Sequence, residues 1–474
     1  MATKAKRDLT EGPLFLPMIS FVVPVILTGM LQMLYNMADN IIVGQLSGDS
    51  LALAAVGSTT SLSNLIVNLL MGIAGGAGVV IAQSFGAREY EKLSRAVHTS
   101  VVFSFIGGIV FCIVGLLISG PALTLMDTKD ELMSRALLYM RIICLGIPAT
   151  SVYNFGAATL RSVGDSKTPL FILSTSGIIN VLLNLFFVIV CKMSVSGVAL
   201  ATIISQYISA VTVIFILIKR KGQAYSLDMQ KMKIDTELLK KILRLGLPAG
   251  FQGTLFSISN IILTAGMNSL ATTDISGKTI AINIESLVHT AMNSYLHASM
   301  TFAGQNFGAK KPDRIKKSIL YALLQVFVIG FVGGQIVMLF GEPLASLYID
   351  AADPDREAVM AAAMELMRFM LSCYFLCGIM DTLSGALRGL GYSMIPMIVS
   401  IGAICVLRAI WVFFVFPTDP FHSLIGIYTI YPISWSLGIV FNAIALLIIY
   451  KNVKKRLLTE AKSEAESDAT AEVN

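Results

Sequence analysis

The sequence predicts an all-α integral membrane protein: twelve transmembrane helices in two pseudo-symmetric six-helix bundles, a 6+6 parallel repeat. Three observations carry this prediction. The chain is too apolar for a water-soluble globule, its basic residues alternate between successive loops, and motifs of its first half return in its second. On the first point, 55% of the 474 residues are hydrophobic and only 14% are charged, against about 25% charged in ordinary soluble domains. The surplus apolar surface must face lipid. Backbone amides in lipid are satisfied internally, so the spans are helices or a closed barrel. The apolar runs, such as 101–117 with its flanks or 396–416, are continuous rather than alternating over ~10 residues as barrel strands do. Helices follow.

In order, the spans fall at 15–43, 52–84, 96–119, 135–158, 168–191, 196–218, 246–270, 279–304, 317–340, 360–386, 395–417 and 426–450. The first, inside the apolar stretch 14–43, is too long for a signal-peptide core and is kept as a span. Residues 219–245 mix Lys, Asp and Glu and form a linker, with an amphipathic surface helix over 235–245. Residues 451–474 begin basic and turn Ala/Glu/Ser-rich; this tail is expected to be disordered. The domain reading is therefore an N-lobe at 1–218, a cytoplasmic linker at 219–245, a C-lobe at 246–450 and a tail at 451–474.

The Lys and Arg residues divide 27 against 5 between the two sets of loops. The rich side holds Lys4, Lys6 and Arg7, then Arg88, Lys92 and Arg95, Arg161 and Lys167, the cluster at 219–244, the cluster at 310–317, Arg388, and Lys451 to Lys462. The poor side holds Lys129, Arg135, Lys192, Lys278 and Arg356. The positive-inside rule then puts both termini in the cytoplasm, in a cytoplasmic (inner) membrane, and an even number of spans agrees. Strict alternation with apolar spans argues against these loops being nucleic-acid patches.

Gln83-Ser84-Phe85-Gly86-Ala87-Arg88 is answered by Gln305-Asn306-Phe307-Gly308-Ala309-Lys310, and Ala158-Thr159-Leu160-Arg161-Ser162-Val163-Gly164-Asp165-Ser166 by Gly385-Ala386-Leu387-Arg388-Gly389-Leu390-Gly391-Tyr392-Ser393. Pro24 answers Pro248, and Arg141 answers Arg368. Six spans per half give both copies one orientation, so an axis along the membrane normal relates them, a geometry of alternating-access transporters. The glycine of each Gln-x-Phe-Gly-Ala motif is expected to end the second helix of its half.

At these residues the sequence resembles the multidrug and toxic compound extrusion (MATE) family. The likeness rests on Tyr35-Asn36-Met37-Ala38-Asp39 with Gly44, on Gly304 to Ala309, and on Ala386-Leu387-Arg388-Gly389-Leu390-Gly391. It implies two six-helix lobes around a central cavity. It implies a secondary active antiporter that exports amphipathic or cationic organic compounds in exchange for H+ or Na+, embedded in lipid and expected to be a monomer. Flippases for lipid-linked oligosaccharides, from the wider superfamily, are the alternative; Arg141, Arg368 and Arg408 are where a pyrophosphate would bind.

Charged groups within spans cost ~2.5–3.5 kcal/mol each on insertion scales and call for a reason. Asp39 stands with Gln32, Tyr35 and Asn36 near the end of span 1, and Gln32, Tyr35 and Asp39 share one helical face. A carboxyl in a partly wet cavity there could exchange a proton at cellular pH; otherwise it hydrogen-bonds a bent helix. The family resemblance assigns a cation-coupling site to Asp39, Tyr139, Asn180, Asn184 and Thr202. Asn184 stands where many relatives carry aspartate, and hard cations prefer charged oxygens. One carboxylate therefore favours H+ as the coupling ion; if it is Na+, Asp39, Asn180 and Asn184 are its ligands. Glu285 is either a second protonation or substrate site or an arginine partner. Asp381, two turns before Arg388, is either a titrating group or an ion-paired anchor, and its first-half equivalent is Asn154. Gln32, Tyr35, Asn36, Asn154, Glu285 and Asp381 form the substrate or second coupling set.

The six cysteines show no secreted framework. Cys373 and Cys377, one turn apart, either hold a soft metal or pack between helices. Met30, Met33 and Met37 line one face of span 1, as a promiscuous cavity or as plain packing. No resident cofactor, ATP-binding loop or convergent catalytic constellation occurs, so no enzyme is expected.

Overall fold

The computed structural model describes residues 8–46, 49, 51–350 and 354–472, and among them every regular element is a helix. Lys4, Lys6 and Arg7 lie outside the described residues. The long helices are α1 (Phe15–Ile41), α2 (Ala52–Gly86), α3 (Tyr90–Leu125), α4 (Asp130–Ser162), α5 (Lys167–Leu185), α6 (Val195–Lys219), α7 (Thr236–Met267), α8 (Thr272–Gly308) and α9 (Pro312–Leu339). The short α10 (Gly341–Ser346) precedes α11 (Arg356–Gly389). The next span is built from α12 (Met394–Ser400) and α13 (Leu407–Ile410), and α14 (Leu424–Tyr428) leads into α15 (Ile430–Glu472). Ten helical stretches of the described residues are long and apolar enough to cross a membrane; α7 and α8, 32 and 37 residues long, complete the twelve. Large apolar side chains stand outward on them, Leu117, Phe171 and Phe414 at 73%, 67% and 74% exposure, which only a lipid surround makes cheap.

The chain forms two compact units. Among the described residues, one comprises 19–85 and 89–257 with Asp8; the other comprises 258–472 with Leu9–Met18 and Gly86–Arg88. The contacts thus change over at Ser257, within α7, and not in the 219–245 linker. In the first unit α3 packs on α4, α4 on α6 and α6 on α5, and α7 enters along α2. There Gly72 and Gly76 face Gly250 and Gly246; a Cβ on Gly76 would lie 2.5 Å from the Gly246 nitrogen, so only glycine allows this approach. In the second unit α8, α9, α11 and α15 form the core.

The expected surface helix at 235–245 is the start of α7, which runs unbroken through Gly246 and Pro248. Asp235 sets that start: its Oδ1 accepts from the amides of Glu237 and Leu238, both at 3.1 Å, and its Oδ2 meets Arg95 at 3.1 Å. The tail expected to be disordered continues α15 to Glu472. Ala, Glu and Lys, in which that tail is rich, are also strong helix formers.

The repeat is visible in the backbone. Arg88 and Lys310 hold φ values of 58° and 55°, and Gly164 and Gly391 hold 88° and 95°. As expected, α2 and α8 end at their motif glycines, Gly86 and Gly308, and the left-handed residue that follows each is the basic one. Gly86 is small for another reason: a Cβ there would run into the backbone of Gln305.

Between α4 and α5, Asp165 accepts from the Thr168 amide at 3.0 Å and hydroxyl at 2.7 Å and pairs with Arg220 at 2.5 Å. Burial alone would push its carboxyl up, but the Thr168 bonds and the Arg220 guanidinium outweigh it and hold Asp165 below the usual carboxylate range.

Candidate cation-coupling site

Asp39 lies two residues before the end of α1, where the helix widens into a π turn at Ile42–Leu46. Asn184 lies at the end of α5, just before a second π turn at Phe186–Val190, closed by the Cys191 amide on the Phe186 carbonyl at 3.1 Å. Such turns cluster at functional positions because one inserted residue re-aims the side chains around it. Ile42, Val43, Val188, Val195 and Val198 from these ends and from α6 pack into one apolar cluster, with Tyr139 against it. A dry floor therefore underlies the polar groups above.

The first unit brings together all five residues of the expected set. Asp39 accepts from the Asn184 side-chain amide, and Thr202 on α6 stands near it with its hydroxyl donating to the Val198 carbonyl at 2.9 Å. Asn184 Nδ2 also donates to Asn180 Oδ1 at 3.3 Å. Tyr139 on α4 is close enough to interact electrostatically with the Asp39 carboxylate. Asn180 and Asn184 are buried, whereas Asp39, Tyr139 and Thr202 remain half-buried. The Asn184 Oδ1 is buried with no hydrogen-bond partner, an acceptor left over beside a carboxylate. In sum, one acid ties α1 to α5 through a neutral partner, next to an unused oxygen.

Tyr35 is half-buried on α1, its hydroxyl donating to the Ser174 carbonyl at 3.2 Å and its ring filling the place a Gly177 side chain would take. Gln32 and Asn36 are exposed on α1, and Asn154 is half-buried on α4. Met30 and Met33 are half-buried and Met37 is exposed.

Glu285 and Asp381 belong to the second unit, so the expected substrate set divides between the two units. Glu285 is 1% exposed, and its Oε1 has no hydrogen-bond partner. Among the described residues no arginine pairs with it, against the structural alternative raised for it. Asp381, on α11, is buried, accepts from Asn293 on α8 and feels the Arg388 charge. Arg408 is buried, lies 4.0 Å above the Tyr431 ring, and reaches Asn260 Oδ1 at 3.4 Å. π turns at Ile401–Val406 and Trp411–Val415 flank it. Arg141 and Arg368 are exposed; Arg368 lines a cavity of about 1230 Å³ along α10 and α11.

Sequence reasoning missed His289, whose ring stands beside Cys377 and Asp381. Its spacing to either residue gave no signal; a shared α8–α11 contact would have.

Two helical units whose ionisable groups are sunk among neutral partners inside apolar spans define a polytopic membrane transporter. The comparisons agree. The MatE family model matches residues 24–186 and again 248–414, once in each half, and the chain belongs to that family of multidrug efflux transporters. It is 29% identical over 439 residues to "Probable multidrug resistance protein YoeA" of Bacillus subtilis, covering 91% of each chain. To "Probable multidrug resistance protein NorM" of Thermotoga maritima it is 27% identical over 397 residues, 81% of this chain and 82% of the relative. Among solved structures it resembles an "Outward-facing conformation of a multidrug resistance MATE family transporter of the MOP superfamily", with a TM-score of 0.87 at 22% identity over 96% of this chain and all of that one. This last likeness concerns the fold.

Proposed function

We propose that the protein is a secondary antiporter of the cytoplasmic membrane, with both termini inside, that exports amphipathic or cationic organic compounds in exchange for a cation, protons above sodium. It works by alternating access and carries out no covalent chemistry on its cargo. The observation that carries this reading is the bonding of Asp39 to Asn184. While charged, the carboxylate attracts the Asn184 amide and fastens α1 to α5. A proton delivered to Asp39 removes that attraction, since a neutral acid is a far weaker acceptor, and frees the end of α1 to turn at Pro24 and the π segment. Release of the proton inward restores the bond. The membrane potential adds about 2.3 kcal/mol per charge per 100 mV to inward cation flow.

Protons are favoured because the site offers a single carboxylate, and Asn184 presents its amide nitrogen to it. A Na+ ion would need the Asn184 oxygen turned inward, with Asp39 and Asn180 completing a set of oxygens. The oligosaccharide-flippase alternative receives less support: Arg368 and Arg356 share their cavity with Glu342, Glu357 and Glu365, a mixed lining that suits pyrophosphate poorly.

The test is ethidium efflux from proteoliposomes under separately imposed proton and sodium gradients. Proton-driven efflux in the wild type that is lost in Asp39→Asn is expected. Undiminished gradient-driven efflux by that variant removes Asp39 from the mechanism.

A further inference from the structure

We propose that His289, Cys377 and Asp381 form a binding site in the second unit for a borderline-soft divalent cation of the Zn2+ class. One ring nitrogen of His289, the Cys377 sulfur and a carboxylate oxygen of Asp381 all lie within 4.8 Å of one another. Ligand atoms around tetrahedral zinc stand roughly 3.4 Å apart, given bond lengths of ~2.0–2.3 Å. Side-chain rotation of about 1 Å closes the set. The donors discriminate by chemistry: imidazole and thiolate suit zinc-class ions, whereas Na+ and Mg2+ take oxygens. Cys377 and Asp381 are buried and His289 is half-buried, unlike a chance group of exposed acids.

The surroundings suit a metal. α8, carrying His289, and α11, carrying the other two, are held at backbone distance by glycines: a Cβ on Gly389 would lie 2.5 Å from the Met300 carbonyl oxygen, and one on Gly277 2.7 Å from Ala362 Cβ. The ligands therefore sit on a fixed frame. Asn293 hydrogen-bonds Asp381. Tyr374 meets the His289 ring edge-on at 6.2 Å and is itself backed by Trp435 at 5.4 Å. Such outer contacts orient metal ligands. One turn before His289 on the same face of α8, Glu285 has an Oε1 buried without a partner, a second negative charge for a divalent ion. The cavity along α11, lined by Glu342, Glu357 and Glu365 together with Arg356 and Arg368, is also lined by Cys373, one turn from Cys377. Binding displaces the thiol proton to water, and the ion competes with Arg388 for the Asp381 carboxylate.

This site is independent of the Asp39 reading. The experiment is a Co2+ titration of the purified full-length protein in detergent, followed by Zn2+ displacement and thermal unfolding. The expected result is one equivalent of Co2+ giving tetrahedral ligand-field bands and a thiolate-to-cobalt charge-transfer band, both erased by Zn2+. Cys377→Ser should lose the charge-transfer band, and His289→Gln should weaken binding at least ~10-fold, as loss of one ligand-level contact does. Cys373→Ser and Cys191→Ser should keep the band. Zn2+ should raise the unfolding temperature of the wild type and not of Cys377→Ser. Absence of a cobalt band in the wild type, or a band that survives Cys377→Ser, overturns the proposal, and the first needs no variant to fold.

Discussion

Asn184 gives its side-chain amide to Asp39 across the α1–α5 contact while its own Oδ1 stays buried and unbonded. The pair is asymmetric: one residue supplies the charge, the other hydrogen-bonds it without a charge of its own. Replacing Asp39 with Asn keeps shape and removes ionisation. Gradient-driven efflux by Asp39→Asn should fall at least ~10-fold, corresponding to ~1.4 kcal/mol, with its unfolding temperature close to wild type. Dye efflux and scanning fluorimetry on the same preparation read both quantities.

Asn184→Asp places a second carboxylate where the unbonded oxygen now lies. Two charged oxygens bind a hard cation better than one, so this variant should shift the driving ion towards Na+. The measurement is the ratio of sodium-driven to proton-driven efflux, expected to rise several-fold. A ratio that stays at the wild-type value would mean that this oxygen does not face the ion.

The Tyr35 ring occupies the space beside Gly177 that any side chain there would need. Gly177→Ala should destabilise by about 1–3 kcal/mol, the usual cost of overpacking. Tyr35→Ala should relieve it, so the double variant melts above Gly177→Ala alone. Melting temperatures that simply add would place the ring elsewhere.

Asp165 links the α4–α5 turn to Arg220, with side chains 23% and 26% exposed. Its folded-state carboxyl titrates below the usual range, so the link stabilises above the ordinary value of ~3.9 and is lost as pH falls through the lower folded value. Asp165→Asn should cost about 1 kcal/mol at neutral pH. Melting curves of the two proteins should converge as the pH is taken below 4, roughly the unperturbed carboxyl value.

Glu285 is buried without an ion-pair partner among the described residues. Neutralising it removes the cost of a buried charge. Glu285→Gln should therefore melt no lower than wild type, while efflux of cationic ethidium drops if this acid meets the cargo or the coupling ion. A lower melting temperature with intact efflux would make it a structural residue.

The spans and their number were legible because lipid imposes a crude requirement, some twenty apolar residues per crossing, that hydropathy reads directly. The repeat was legible from its paired motifs, and the backbone repeats it at Arg88 and Lys310. The helix boundary at α7 was not: Gly246 and Pro248 look like punctuation, yet α2 needs glycine there for contact and the helix passes through. The five residues around Asp39 came from family likeness combined with the i, i+4 spacing of Asn180 and Asn184. The neighbours of Asp381 were hidden, because His289 reaches it only through the packing of α8 on α11, which no local pattern in either helix encodes.

The π turns beside Asp39 and Asn184 have a mechanical consequence. Each stores one surplus residue, and passing that surplus along the helix by a single position rotates the intervening part by roughly 100° without rupturing the backbone ladder. We expect α1 to swing its carboxylate by such a slip, so that shortening 42–46 by one residue yields a protein that folds, inserts and no longer pumps. Full activity after that deletion would show that the motion has another pivot.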